Sequence, residues 1–195
     1  MTRQDASAVT RPPRADAVRN RAKVLDAASE AFAAEGLGVP LDEIARRAGV
    51  GAGTVYRHFP SKEALFEAVI IERVRGLVAD VEERLAAETD AGEAFFGFFA
   101  AMINTGRTKA DLAEALAAAG AGLAPETTQA AGRLMSGFRA LLERAQRAGA
   151  VRGDVSIQDL QALTVAAMAG EKRASADPGY ERGRMTRIIC DGLRT

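Results

Sequence analysis

The segment Ile44-Ala45-Arg46-Arg47-Ala48-Gly49-Val50-Gly51-Ala52-Gly53-Thr54-Val55-Tyr56-Arg57-His58-Phe59-Pro60-Ser61-Lys62-Glu63-Ala64-Leu65 sets the architecture of the whole chain. Leu41, Ile44, Ala45 and Ala48 give one apolar face of barely two helical turns. Pro40 stands where a first helical residue is tolerated, and Asp42 and Glu43 place acids in the first turn, as the helix dipole favours. Ala48-Gly49-Val50 stops that helix, Gly51-Ala52-Gly53 follows, and a second short helix runs to Phe59 before Pro60. Two short helices joined by a glycine turn over about 40–59 form a helix-turn-helix pattern.

This pattern has physical requirements. Gly49 supplies a turn conformation that ordinary residues resist. Val55 and Phe59, four apart, form the buried face of the second helix. Ala52, Gly53, Thr54, Tyr56, Arg57 and His58 fall elsewhere around it. Small residues at its N-terminus let backbone approach base edges in a major groove. Arg57 can donate bidentately to guanine, or point to solvent, or pair with Glu63. Thr54, Tyr56 and His58 can donate to phosphate oxygens, which position without specifying. Lys62 adds a point charge beside the first N–H groups of the next helix. The plain alternative makes Tyr56 and His58 ordinary residues of a small bundle, and Arg46 and Arg47 a solvated face.

The same residues resemble the DNA-binding core of the TetR family of bacterial transcriptional regulators. The resemblance rests on Ile44-Ala45-x-x-Ala48-Gly49-Val50, Thr54-x-Tyr56-x-His58-Phe59 and Lys62, and it extends over about 14–74. It implies a homodimer whose two recognition helices read a near-palindromic operator in double-stranded DNA. It also implies a C-terminal helical domain that binds a small-molecule effector and dimerises through its last two long helices. Most such proteins are repressors released by ligand. Carried over by position, Thr54, Tyr56, His58 and Lys62 contact phosphates, while Ala52, Gly53 and Arg57 face base edges. The chain departs from the pattern twice. Pro40-Leu41 and Gly51 stand where many members carry Ser or Thr, removing two hydroxyls, and Arg14, Arg19 or Arg46 are candidates to compensate.

Outward from this core, residues 1–13 are polar, contain Pro12-Pro13 and read as a disordered arm. From Arg14 a helix shows Val24, Ala28, Ala31 and Phe32 on one face and ends at Gly36, with Leu37 folding back over it. Ser61 is an N-cap for a long helix to about Glu88, with Leu65, Val69, Val74, Leu77 and Val81 on its inner face. Five more helices are read beyond Asp90. They are 91–105, 108–120 with a Thr108/Asp111 capping box, 125–148, 156–173 with a Ser156/Asp159 capping box, and 177–193. Ala150-Val151-Arg152 can be extended. The expectation is an all-α chain of about nine helices, with an N-terminal DNA-binding domain at 14–74 and a helical ligand-binding and dimerisation domain at 75–195.

The chain has 195 residues, 48% hydrophobic and 27% charged, ample for a buried core and unlike a disordered or collagen-like composition. Formal charges cancel at 26 against 26. Through Lys62 there are ten Lys/Arg against seven Asp/Glu, so the front carries an excess of three bases and the remainder an excess of three acids. That split fits a nucleic-acid module on a regulatory body. No apolar run reaches the roughly 18–20 residues of a membrane span, and no charged start leads into an apolar signal core, so a cytoplasmic protein is expected. Cys190 is the only cysteine and reads as a small buried apolar residue. His58 is the only histidine, which excludes two-histidine catalytic and metal constellations. No Gly-x-Ser-x-Gly elbow or phosphate-binding Gly-x-x-x-x-Gly-Lys-Ser/Thr loop is present, so neither catalysis, a cofactor nor a metal is expected. A helical interaction protein without DNA binding is the competing class, followed by an all-α enzyme working with carboxylates alone, for which no carboxylate pair is marked in the sequence.

For the effector, Phe95, Phe98, Phe99, Met102, Met135, Phe138 and Met168 are candidate pocket residues, with Gln161 and Thr164 as orienting polar groups; Asn104 and Arg107 are further polar candidates. The same phenylalanines and methionines can equally be core. This interior favours an apolar or amphipathic small molecule. The dimer surface is expected on 156–193. Leu160, Leu163, Ala167 and Ala174 follow one face of its first helix, with Tyr180, Met185, Ile188 and Ile189 on the second. Ala166, Ala169 and Gly170 permit close helix approach.

Overall fold

The computed structural model describes residues 13–118, 125–174, 176–177 and 179–195, excluding the side chains of 13–15, 105–118 and 172. Nearly all of the expected N-terminal arm therefore lies outside the described residues. The described chain is all-α, with eight α-helices. It divides into two compact units, the first closing at Leu65 and the second running from Phe66 to Thr195.

In the first unit, α1 (Pro13–Glu35) opens on proline, whose missing N–H costs nothing at a helix start. It ends where Gly36 turns to φ 72, and a 3-10 turn over Gly36–Gly38 follows. Val24, Ala28, Ala31 and Phe32 are buried, as their spacing predicts, against a core that includes Ile44, Val55 and Phe59. α2 (Leu41–Ala48) begins one residue later than expected. Pro40 is extended, at φ −66 and ψ 148, and serves as the cap whose carbonyl accepts from Ile44 at 3.2 Å. Gly49 closes α2 in the left-handed region, at φ 66 and ψ 33. Its N–H bonds Arg46 O at 3.2 Å and Val50 N–H reaches back to Ala45 O at 3.1 Å, the paired bonds of a Schellman stop. α3 (Ala52–His58) follows after Gly51.

α4 (Lys62–Ala86) starts on the Ser61 cap, whose hydroxyl accepts from the Ala64 N–H at 3.2 Å. The second unit contains most of α4 together with α5 (Ala91–Ala118), α6 (Pro125–Arg147), α7 (Ile157–Ala174) and α8 (Arg184–Leu193). Two helix boundaries here differ from those expected. The two helices expected at 91–105 and 108–120 are one, since the backbone of α5 runs unbroken through Gly106 and Thr108. A glycine inside a helix costs only about 1 kcal/mol, which packing of the rest of α5 outweighs. The expected end near Gly120 lies outside the described residues. The last helix begins at Arg184 and not at Asp177. Asp177 instead anchors a turn, accepting from Gly179 N–H at its side chain (2.9 Å) and from Tyr180 N–H at its carbonyl (3.0 Å). Gly183, at φ 80, then breaks any continuous helix.

The core of this unit is aromatic. Phe138 of α6 sits among Phe95, Phe98 and Phe99 of α5, with ring centroids 6.0, 5.4 and 6.2 Å away. Gly137 beside it lets α6 approach α4 closely, since a Cβ there would lie 2.6 Å from Val81 Cγ1. The Ser156/Asp159 capping box forms in both directions, at 2.8 and 3.2 Å. Val151 is extended as expected and pairs antiparallel with Arg194.

Candidate nucleic-acid interface

α3 is too short to be stable alone, and its side chains divide sharply between inside and outside. Val55 and Phe59 are buried, while Ala52, Gly53, Tyr56 and Arg57 are exposed and Thr54 and His58 are half-buried. Tyr56 is 49% exposed, unusual for a large ring with no surface role. Ala52, Gly53 and Thr54 form the N-terminal turn. Its N-cap is Gly51, which offers no side chain to the free N–H groups, although Thr54 N–H bonds Gly51 O at 2.9 Å. The result is one exposed face with a small-residue, N–H-rich end and a cationic end. Among the described residues Glu63 interacts with its own backbone N–H, Ser61 and Lys62 and not with Arg57, so the alternative of an Arg57–Glu63 pair is not realised.

Several other cations of this unit are committed. Arg46 holds Glu43 with two hydrogen bonds of 2.7 Å, and Arg47 bonds Glu43 at 2.7 Å and Glu35 at 2.5 Å. These two guanidinium groups pull the Glu43 carboxyl down to about 2, chiefly through their hydrogen bonds. Arg19 pairs with Asp16. The Arg14 side chain lies outside the described residues. Lys62, expected as a free point charge, donates to the Leu37 carbonyl at 2.9 Å. That bond spends one of its three N–H donors and leaves two. The Arg21 guanidinium lies 5.6 Å from the centroid of the Phe59 ring, tying α1 to the residue that closes α3. Nothing in the local pattern signals these last two links, because each depends on a contact between residues remote in sequence.

In the second unit the candidate pocket residues are brought together unevenly. Phe95, Phe98, Phe99 and Phe138 are buried and touch one another. Met102 and Met135 are half-buried, Met168 is buried, and the Gln161 amide lies 3.7 Å from Met135 Sδ. Thr164 is buried, but its hydroxyl bonds its own helix at Leu160 O, 2.7 Å away. Asn104 is exposed and the Arg107 side chain lies outside the described residues. An open depression of about 360 Å³ lies elsewhere, between α4 and α6, flanked by the Arg75–Glu126 and Glu82–Arg133 ion pairs. On the expected dimer surface, Leu160 and Ala167 turn into the protomer, whereas Val165 is 63% and Ile188 56% exposed. Among the described residues no group of His, Cys, Asp and Glu is placed to hold a metal, and no helix is long and apolar enough to cross a membrane.

Comparison with known proteins covers both units. Residues 24–69 match the family described as bacterial regulatory proteins, tetR family, and residues 90–195 match the description transcriptional regulator SbtR-like, C-terminal domain. A TetR transcription regulatory protein from Mycobacterium vanbaalenii is similar in structure. It is 47% identical, with a TM-score of 0.73, over 94% of this chain and 100% of that one. The HTH-type transcriptional regulator SrpR of Pseudomonas putida is 40% identical over 81 residues, 41% of this chain and 38% of that protein. The HTH-type transcriptional activator FasR of Mycolicibacterium smegmatis is 43% identical over 86 residues, 40% of this chain and 39% of that protein. The matched stretch thus spans about two fifths of each of these two curated relatives.

Proposed function

The chain belongs to the TetR family of bacterial regulatory proteins, and from that membership we propose that it is a homodimeric, ligand-responsive regulator that binds a near-palindromic operator through α3. The observation that carries this is the division of α3 into a buried Val55/Phe59 edge and an exposed face bearing Ala52, Gly53, Thr54, Tyr56 and Arg57. In this reading Arg57 donates to a guanine and Ala52 and Gly53 admit the backbone to base edges. Thr54, Tyr56, His58 and the two remaining donors of Lys62 hold phosphates. Arg14 and Arg46 are supporting cations, Arg46 after leaving Glu43. The DNA-binding domain is 14–74 and the effector and dimerisation domain 75–195, acting in the cytoplasm without catalysis.

The exposed apolar residues Val165 and Ile188, with the exposed Ala162, Ala166 and Ala169, support self-association through α7 and α8. Twofold symmetry then doubles the operator readout. The effector is an apolar or amphipathic small molecule admitted against Phe95, Phe98, Phe99 and Phe138, with Met102, Met135 and Met168 as adaptable neighbours and Gln161 and Thr164 as polar guides. Repression released by effector is the primary reading. Activation is the second, favoured by the activator FasR among the relatives. A mobility shift on DNA upstream of the chain's own gene tests the proposal. A retarded complex that weakens as salt rises supports it, and no complex at low salt overturns it.

A further inference from the structure

We infer that Glu171 is a positioning residue for the surface through which two copies of this chain meet; the inference rests on the homodimer reading given above. Glu171 lies on α7 and is 3% exposed, and a carboxylate is seldom buried without several donors. Its donors here are the Tyr180 hydroxyl (3.2 Å) and the backbone N–H groups of Gly183 (3.2 Å) and Met185 (3.1 Å). Gly183 is the N-cap residue of α8 and Met185 its second residue; the Arg184 N–H between them bonds Glu181 O at 3.2 Å, and the Met185 N–H is shared with the Tyr180 hydroxyl oxygen, also 3.2 Å away. A helix start is normally capped by the side chain of its own N-cap residue, and Gly183 has none. Glu171 therefore serves as the N-cap of α8 from a different helix and sets a negative charge at the positive end of its dipole. The neighbouring Gly170 packs against the Met185 side chain, whose Cε would lie 3.3 Å from a Cβ there. Glu171, through its bonds to Gly183 and Met185, thus ties the start of α8 to α7.

That start decides where Ile188 stands. Ile188 is the fifth of the ten residues of α8, and Val165 lies on α7 less than two turns before Glu171. Both are exposed, so their relative placement is a property of the α7–α8 joint. Glu171 is buried within its own protomer and acts on association only through α8.

The test is the dimer dissociation constant of the full chain, measured by sedimentation at a temperature where circular dichroism finds every variant folded. Glu171→Gln keeps an acceptor and loses the charge, and weakens association about tenfold, whereas Glu171→Ala weakens it roughly a hundredfold. Tyr180→Phe removes the second acceptor of the Met185 N–H but leaves both backbone bonds to Glu171, and stays within about threefold of the parent. In an Ile188→Ala background the Glu171→Gln effect shrinks to less than about twofold, because the surface it positions has already been cut back. A parent that dimerises while folded Glu171→Gln and Glu171→Ala dimerise equally well would overturn the inference, as would full additivity with Ile188→Ala. A parent that stays monomeric at every concentration would instead overturn the homodimer reading itself, and this inference with it.

Discussion

Lys62 donates its ammonium to the carbonyl of Leu37, 2.9 Å away and 25 residues back along the chain. A cation in the first residue of a helix opposes that helix's dipole. The bond to the Leu37 carbonyl, in the 3-10 turn that follows α1, outweighs that penalty. Lys62→Met removes a charge-assisted bond worth about 1.5–3 kcal/mol and relieves about 0.3–1 kcal/mol of dipole repulsion. A net loss of about 1–2 kcal/mol is expected in chemical denaturation. If its other donors hold a phosphate, the slope of log K against log salt also falls by about 0.9 per subunit.

Two nearby glycines respond in opposite ways. Gly49 sits at φ 66, and Gly49→Ala is expected to cost about 1–2 kcal/mol because a Cβ is strained there. Gly51 is at φ −67 and ψ 142, a conformation any residue adopts, and a Cβ there meets nothing within 4 Å. Gly51→Ser supplies the missing cap of α3 and is expected to stabilise by a few tenths of a kcal/mol. It also restores a hydroxyl beside the proposed phosphate site, so operator affinity should rise. Thermal unfolding and a binding titration check both variants.

Phe138 is the hub of the aromatic core. Phe138→Ala removes a buried ring that touches three others and is expected to cost about 3–5 kcal/mol in urea denaturation. Gly137→Ala acts from the other direction. Its Cβ would press on Val81, and the overpacking should cost about 1–3 kcal/mol.

Glu43 gives the first unit an acid-sensitive link. Its carboxyl is held near 2 by Arg46 and Arg47, below the unfolded value of about 4.3. A lowered folded value means that the stabilisation is complete above the unfolded value and is lost as pH falls through the folded one. Stability measured from pH 5 down to pH 2 should therefore decline less steeply in Glu43→Gln than in the parent. High salt should shrink the difference, since the group is at the surface.

The sequence carried α2, its Gly49 stop, α3 and the buried Val55/Phe59 pair because each depends on neighbours within a turn or two. The Ser61 and Ser156 caps were legible for the same reason. The join of two expected helices into α5 was hidden because Gly106 and the Thr108/Asp111 pattern mimic a boundary that packing overrides. The late start of α8 was hidden because its cap, Glu171, comes from another helix. At the interface, residue types were readable but commitments were not. Lys62 bound to Leu37, Arg47 bound to Glu35 and Arg21 over Phe59 join residues remote in sequence and are products of the tertiary fold.

If the exposed face of α3 reads DNA, Arg57 is the side chain whose loss must show it. The measurement is a titration of parent and Arg57→Ala against the operator found upstream and a set of its single-base variants. The account predicts that Arg57→Ala loses about 1–3 kcal/mol on the parent operator and stops discriminating at one symmetric base pair per half-site, with preferences elsewhere kept. An Arg57→Ala protein that binds every variant with the parent's affinities would contradict it.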